Sequence, residues 1–307
     1  MAPSAPLGTP QFGRYAPPTH TLVHVSDPHL LAGGAALGGR YDVDRTLDRT
    51  LAAIESAAGR ADAIVVTGDL ADLGEPDAYR RLRAAVDPVA ERIGAPAIWV
   101  AGNHDERPAL REHLLDAAPT EDPVTGVWDL NGLRVIALDS TVPGWHHGDL
   151  DAEQLSWLAD ELRTPAAHGT LLAMHHPPVP SHIPFFDILE LRHQDELAGI
   201  LRGSDVRGIL AGHLHYSLHA MFAGIPVSVA SATCYTMDVA SPADRVNGMD
   251  AAQSFQLVHV RPETITHTVV PVVDADPAVT FTPEWVARMA ALTPRERLEA
   301  FSRKPGR

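Results

Sequence analysis

Val206-Arg207-Gly208-Ile209-Leu210-Ala211-Gly212-His213-Leu214-His215 is an oily run that stops abruptly at a pair of imidazoles. The six residues before Gly212 read as a buried strand, and the two histidines two positions apart can both be aimed into one hole in the surface. Four other stretches are built the same way. Asp27-Pro28-His29 follows the apolar residues 21–25, and Gly68-Asp69 follows 63–67. Gly102-Asn103-His104-Asp105 follows 97–100, and His175-His176 follows 170–174. In each, a strand ends and oxygen or nitrogen donors begin at once.

Between these strands the spacing predicts helices. Leu47, Leu51, Ile54 and Ala58 recur at steps of four, three and four. Tyr79, Leu82, Val86, Val89 and Ile93 form a second stripe, with Pro76 suited to its first turn. Three strands alternating with helices of this kind specify an α/β fold with helices over a largely buried sheet. A further strand is expected at 134–138. A helix opens at Asp151 with the Asp-x-x-Gln form of a capping box, and another covers 194–201. Residues 142–150 form a loop carrying His146 and His147, and the proline-punctuated stretch up to Leu189 reads as a lid-like loop. The strands expected at 227–230, 255–260 and 264–270 have few helices between them, as in a second sheet packed on the first. In open α/β sheets ligands gather beyond the carboxyl ends of strands, where all five polar stretches fall.

Composition bounds the function. The 307 residues are 45% hydrophobic, enough for a sizeable core, and the net charge of −15 disfavours a nucleic-acid polymer or an anionic lipid surface as partner. A single cysteine, Cys234, excludes an intramolecular disulfide and a cysteine-rich zinc site, and fits a reducing cytoplasm. Residues 1–20 read as a flexible lead-in rather than a signal peptide, and no stretch approaches the ~20 apolar residues of a membrane span.

The candidate ligands are Asp27, His29, Asp69, Asn103, His175, His213 and His215. Two carboxylates, one amide and four imidazoles suit first-row divalent ions better than calcium, which takes oxygen alone. Seven are too many for one tetrahedral ion; if Asp69 bridges, they divide into two sets of four. Two metals roughly 3.5–4 Å apart are the usual arrangement for hydrolysing phosphate esters. Two such ions bring four positive charges against two aspartates, leaving a pocket suited to an anionic phosphate.

These five blocks, in this order, resemble the calcineurin-like metallophosphoesterases. Gly68-Asp69-Leu70-Ala71-Asp72 with Gly74 and Tyr79, His175-His176-Pro177-Pro178 and Ser231-Ala232-Thr233 narrow the resemblance to the bacterial class III cyclic-nucleotide phosphodiesterases. The likeness to the mycobacterial representative of that group extends to roughly Pro271. It implies a sandwich of two mixed β-sheets flanked by helices, with a catalytic domain over 21–271 and an extension over 272–307. It implies that Asp27, His29, Asp69 and His215 hold one metal and Asp69, Asn103, His175 and His213 the other. It implies two divalent or trivalent ions, with iron and manganese the favoured pair and zinc or cobalt compatible. His104 would contact a phosphoryl oxygen or assist the leaving group, and His146 would reach the substrate phosphate. The implied reaction is in-line attack of a metal-held hydroxide on a cyclic nucleotide, 3′,5′-cyclic AMP first, by a cytoplasmic homodimer. Competing readings are a broad diesterase for 2′,3′-cyclic nucleotides or glycerophosphodiesters, and a nucleotide-binding or metal-responsive protein whose hydrolysis is incidental.

Other residues have plainer readings. Strand alternation points neighbouring side chains apart, so only one of His175 and His176 should face the metals, leaving His176 to fix the loop. Asp72 and Asp105 could orient ligating imidazoles. Tyr79 reads as packing, His24 and His259 as structural, and Cys234 as a small buried residue.

Overall fold

Strands buried on both faces need side chains that are largely apolar without strict alternation, and Leu22, Val23 and Val25 in residues 21–25 meet that demand. In the computed structural model, which describes residues 11–242 and 244–304, they lie in β1 (His20–Val25). α1 (Val43–Ala58) follows, started by Asp42, whose carboxylate accepts the Arg45 N–H. β2 (Ala63–Thr67), α2 (Pro76–Ile93) and β3 (Ala97–Val100) continue the alternation. These three strands pair in parallel, with Val25 opposite Val66 and Thr67 opposite Val100. Their carboxyl ends are therefore level, and Asp27, Asp69 and Asn103 leave the sheet along one rim.

α3 (Arg107–Leu114) and β4 (Gly126–Leu130) are short and half-exposed, so their apolar patterns are too weak to announce them. β5 (Leu133–Ala137), α4 (Ala152–Glu161), β6 (Thr170–Ala173), α5 (Gln194–Leu201) and β7 (Val206–Ala211) repeat the strand–helix theme. The α4 cap is only half the expected box. Asp151 accepts the Gln154 N–H, but the Gln154 side chain turns away to bond both the N–H and the carbonyl of Asp139. Satisfying two buried backbone groups outweighs closing the box. After β8 (Leu218–Phe222) and β9 (Ile225–Val229), two short strands, β10 (Thr236–Met237) and β11 (Gly248–Met249), pair with each other.

The late strands do not make a sheet of their own, contrary to the sequence pattern. β9 joins the six-stranded sheet β4-β5-β6-β7-β9-β8, whereas β12 (Ser254–Val260) and β13 (Ile265–Pro271) extend the first sheet to β13-β12-β1-β2-β3. β12 runs antiparallel along β1 and satisfies the backbone edge that β1 would otherwise leave open. Both sheets are thus mixed. Leu22, Val65 and Ile98 meet Val135, Leu171 and Leu210 between them. Val23, Ile64 and Val66 pack outward under Leu47, Ile54 and Leu82 of α1 and α2. Ile136, Leu172 and Ile209 pack under Leu158 and Leu197 of α4 and α5. Each fully buried side chain of this size contributes roughly 1.5–3 kcal/mol, which fixes the strand ends as a rigid platform.

His20–Val273 form one compact unit. A second joins Thr19 and the residues before it to Asp274 and those after it; residues 1–10 of the expected lead-in lie outside the described residues. In this second unit α6 (Pro283–Ala291) is capped by Thr282, and α7 (Pro294–Arg297) begins with a complete capping box from Thr293 and Glu296. Phe281, Trp285 and Phe301 cluster there, and the Arg297 guanidinium lies 5.1 Å from the Phe12 ring centre. No helix among the described residues is long and apolar enough to cross a membrane.

Candidate metal centre

All seven candidate ligands stand at or just past the carboxyl ends of β1, β2, β3, β6 and β7, and the tertiary fold brings them together. Asp27, His29, Asp69, His213 and His215 have positive φ, between 47° and 73°. That backbone region costs roughly 1–2 kcal/mol for a residue with a side chain, so the surrounding packing must enforce it. It turns the chain sharply enough to aim each side chain inward. Two glycines allow the close approach: a Cβ on Gly212 would overlap Ser26 Oγ, and one on Gly102 would overlap the Asp69 amide.

The imidazoles are held in one tautomer each. A carbonyl or carboxylate oxygen only accepts, so a ring nitrogen facing one carries the hydrogen and leaves the other nitrogen bare in the neutral ring. His29 Nδ1 donates to Asp72 Oδ1 at 2.9 Å, and His175 Nδ1 to the Thr67 carbonyl at 2.8 Å. His213 Nε2 donates to the Leu189 carbonyl at 3.1 Å, and His215 Nδ1 to the Tyr235 carbonyl at 3.0 Å. The bare nitrogens then face each other. His29 Nε2 lies 3.2 Å from His215 Nε2, and His175 Nε2 lies 3.2 Å from His213 Nδ1.

Oxygens complete the cluster. Asp69 Oδ2 is 3.3 Å from both His29 Nε2 and His175 Nε2. Asn103 Oδ1 is 3.1 Å from His175 Nε2, and Asp27 Oδ1 is 3.4 Å from His215 Nε2. Lone pairs converging at such distances repel unless protons or cations lie among them. Donors around a tetrahedral ion at ~2.0–2.2 Å sit roughly 3.3–3.6 Å apart, so the spacing fits divalent metals. Asp27, His29, Asp69 and His215 offer atoms all within 4.8 Å of one another, and His175 and His213 form a second group with Asn103 beside them. The His and Asp clusters fit a site for two metal ions.

The electrostatics agree. Burial opposes charge on His29, yet Asp69 and Asp72 outweigh it and raise its pKa to about 10. Burial likewise opposes charge on His175, but Asp69 raises it to about 9. Burial and the neighbouring His175 ring push His213 well down. Burial works against a charged Asp69, and His175 and His29 overcome it, holding that carboxyl well below the usual range.

His176 lies close to His175 and His213 but is fully engaged elsewhere. Its Nδ1 accepts from the Ser140 hydroxyl at 2.8 Å, and its Nε2 donates to the His146 carbonyl at 3.2 Å. Its neighbour alone faces the cluster. His146 Nδ1 accepts from Asn103 Nδ2 at 2.9 Å, which keeps Asn103 Oδ1 turned to the donors and leaves the His146 hydrogen on Nε2. His104 N–H donates to Asp69 Oδ1 at 2.9 Å, and its Nδ1 donates to the Asp72 carbonyl at 2.8 Å. That leaves His104 Nε2 to hold or move a proton.

Three expectations need amending. Asp105 touches no ligating imidazole; its carboxylate accepts the N–H groups of Leu70, Ala71 and Gly102, shaping the loop that presents Asp69. Tyr79 is more than packing, because its hydroxyl donates to Asp105 and accepts the Glu106 N–H. The supposed lid folds into a short 3₁₀ helix, Pro184–Leu189, whose last carbonyl orients His213. The carbonyls of Thr67, Leu189 and Tyr235 are functional groups that no side-chain motif could reveal. Cys234 is buried, with Sγ 3.7 Å from His215 Nδ1.

Known proteins resemble this chain. A family model described as calcineurin-like phosphoesterase matches residues 20–217. The chain is 52% identical over 271 residues to a cAMP/cGMP dual specificity phosphodiesterase of Mycobacterium tuberculosis, covering 88% of this chain and 85% of that one. It is 54% identical over 257 residues to a probable cyclic nucleotide phosphodiesterase of Rhodococcus erythropolis, covering 84% and 85%. The crystal structure of a dimetal phosphatase from Danio rerio shares the fold, with a TM-score of 0.60 at 16% identity over 84% of this chain and 98% of that one. With the two mixed sheets and the donor cluster at their rim, these matches place the chain in the calcineurin-like phosphoesterase family.

Proposed function

We propose that the protein hydrolyses 3′,5′-cyclic nucleotides, cyclic AMP foremost, at a binuclear site in the domain spanning 21–271, with 272–307 an extension to it. The supporting observation is the set of bare imidazole nitrogens converging with two carboxylates and an amide oxygen, in a chain 52% identical to a cyclic-nucleotide phosphodiesterase. Asp27, His29, Asp69 and His215 would hold one ion. Asp69, Asn103, His175 and His213 would hold the other; Asp69 Oδ2 lies 3.3 Å from both His29 Nε2 and His175 Nε2, which suits Asp69 to serve both sets. Bound there, two divalent ions supply a lowered water pKa and charge stabilisation on phosphoryl oxygens; iron and manganese are the favoured pair.

The chain's own groups do the rest. Asp72 and the carbonyls of Thr67, Leu189 and Tyr235 keep four imidazoles in the ligating tautomer. Asn103 couples His146 to the cluster, so that His146 Nε2–H can donate to a phosphoryl oxygen. His104, fixed through Nδ1, presents Nε2 to protonate the departing ribose oxygen. The same reading takes the working protein as a homodimer in the cytoplasm, and sedimentation reads the first of these.

The test is a substrate panel on protein whose metals have been quantified: 3′,5′-cyclic AMP and GMP, 2′,3′-cyclic AMP and glycerophosphoethanolamine. The expected result is the highest kcat/KM for a 3′,5′-cyclic nucleotide. A preference for either of the last two substrates, or nucleotide binding without turnover at full metal loading, refutes it.

A further inference from the structure

A cavity of about 470 Å³ opens beside the donor cluster, and Asn103, His104 and His146 form part of its lining. Two large apolar side chains also line it, Leu73 at 66% exposed and Trp145 at 62%. Tryptophan is among the most buried residue types on average, so one this exposed contributes little to a core. Its ring is edge-on to His147 at 5.5 Å, and that is its one ring contact among the described residues.

The backbone under it is firmly held. The Trp145 N–H donates to the Val142 carbonyl at 2.9 Å, closing a tight turn. Thr141 is tied by its N–H to Asp139 and by its carbonyl to the Arg107 guanidinium. His176 Nε2 holds the His146 carbonyl, and the Gly148 N–H reaches the Glu190 carbonyl. A rigid backbone thus presents a solvent-facing indole next to His146, which is hydrogen-bonded to Asn103.

Resting on the cyclic-nucleotide reading above, we infer that Trp145 is the stacking platform for the substrate's nucleobase and sets the preference for nucleotides over base-free diesters. A nucleoside cyclic phosphate carries its base one ribose away from phosphorus, so a phosphate beside Asn103 and His146 brings the base to the neighbouring wall. Every base has a π-face, so such a platform accepts adenine and guanine alike. The lining's guanidinium offers no competing readout of the base edge. Arg107 is engaged by the carbonyls of Glu121 and Thr141 and by the Thr141 hydroxyl.

The experiment compares wild type, Trp145→Ala and Trp145→Phe, full-length and with equal quantified metal. The substrates are 3′,5′-cyclic AMP, 3′,5′-cyclic GMP and methyl ribofuranoside 3′,5′-cyclic phosphate, which keeps the reacting ring and lacks the base. In Trp145→Ala the ratio of kcat/KM for either nucleotide over the base-free substrate should fall roughly ten-fold, mostly through KM. Trp145→Phe should recover most of that ratio. An unchanged ratio in Trp145→Ala, or equal losses on all three substrates, overturns the inference. If the wild type cleaves none of them, the diesterase reading falls by itself. Calorimetric binding of cyclic AMP then decides the stacking: weaker binding by Trp145→Ala than by wild type upholds it, and equal binding or none by either protein overturns it.

Discussion

Replacing Asp72 by alanine removes the acceptor that holds the His29 Nδ1 hydrogen, 2.9 Å away, and should weaken metal binding without touching a ligand. An ion on His29 Nε2 would sit roughly 7 Å from that carboxylate, counting the ring and a bond of ~2.1 Å. At an effective dielectric of about 20, a double positive and a single negative charge at that distance attract by about 5 kcal/mol. That is an upper bound, because Asp72 is 20% exposed and Asp27 and Asp69 stand closer to the cluster. Carboxylates that orient metal-binding histidines usually contribute 10–100-fold in affinity, or about 1.4–2.7 kcal/mol, which lies within the bound. Asp72→Asn keeps an oxygen acceptor and loses the charge, so it separates the two contributions and should fall between wild type and Asp72→Ala. Equilibrium dialysis against buffered manganese, with metal content read by mass spectrometry, measures the effect; thermal melts of metal-free protein check the fold. If Asp72→Ala binds both ions within two-fold of wild type, the tautomer argument for His29 is wrong.

Two more outcomes follow from the same geometry. His104→Ala should lower kcat on cyclic AMP about 10²–10⁴-fold but cost far less on bis(p-nitrophenyl) phosphate, whose leaving group needs no proton. Equal losses on both substrates would place His104 on a phosphoryl oxygen instead. In the metal-free protein His29 and His175, raised to about 10 and about 9, are protonated at pH 7.5, and both must be neutral to ligate. Metal addition in weak buffer should therefore release about two protons, and apparent affinity should climb with pH up to that range; a dye-monitored titration with no release refutes the site.

Much of the fold could be read from local pattern because burial leaves marks. Residues 63–66 are uniformly apolar since both faces of β2 are covered, and the Pro76 start of α2 follows because a first-turn residue has no intrahelical partner for its N–H. Elements half-open to water are harder to read. β8, whose side chains are partly or fully exposed, carries too little apolar contrast to stand out. The sheet assignment of β12 was also hidden, because its partner β1 is more than 200 residues away and pairing depends on an open backbone edge, not on side chains.

The chain's order of residues determined that strands would end in metal donors, and that those donors would be imidazoles and carboxylates suited to hydrolytic metals. Tertiary structure alone decided which nitrogen of each ring is bare, and so which atoms meet. His175 is set by the carbonyl of Thr67, 108 residues earlier, and His213 by that of Leu189. Every residue carries a carbonyl, so this choice leaves no trace in the sequence; it exists only once packing has brought the oxygen to the ring.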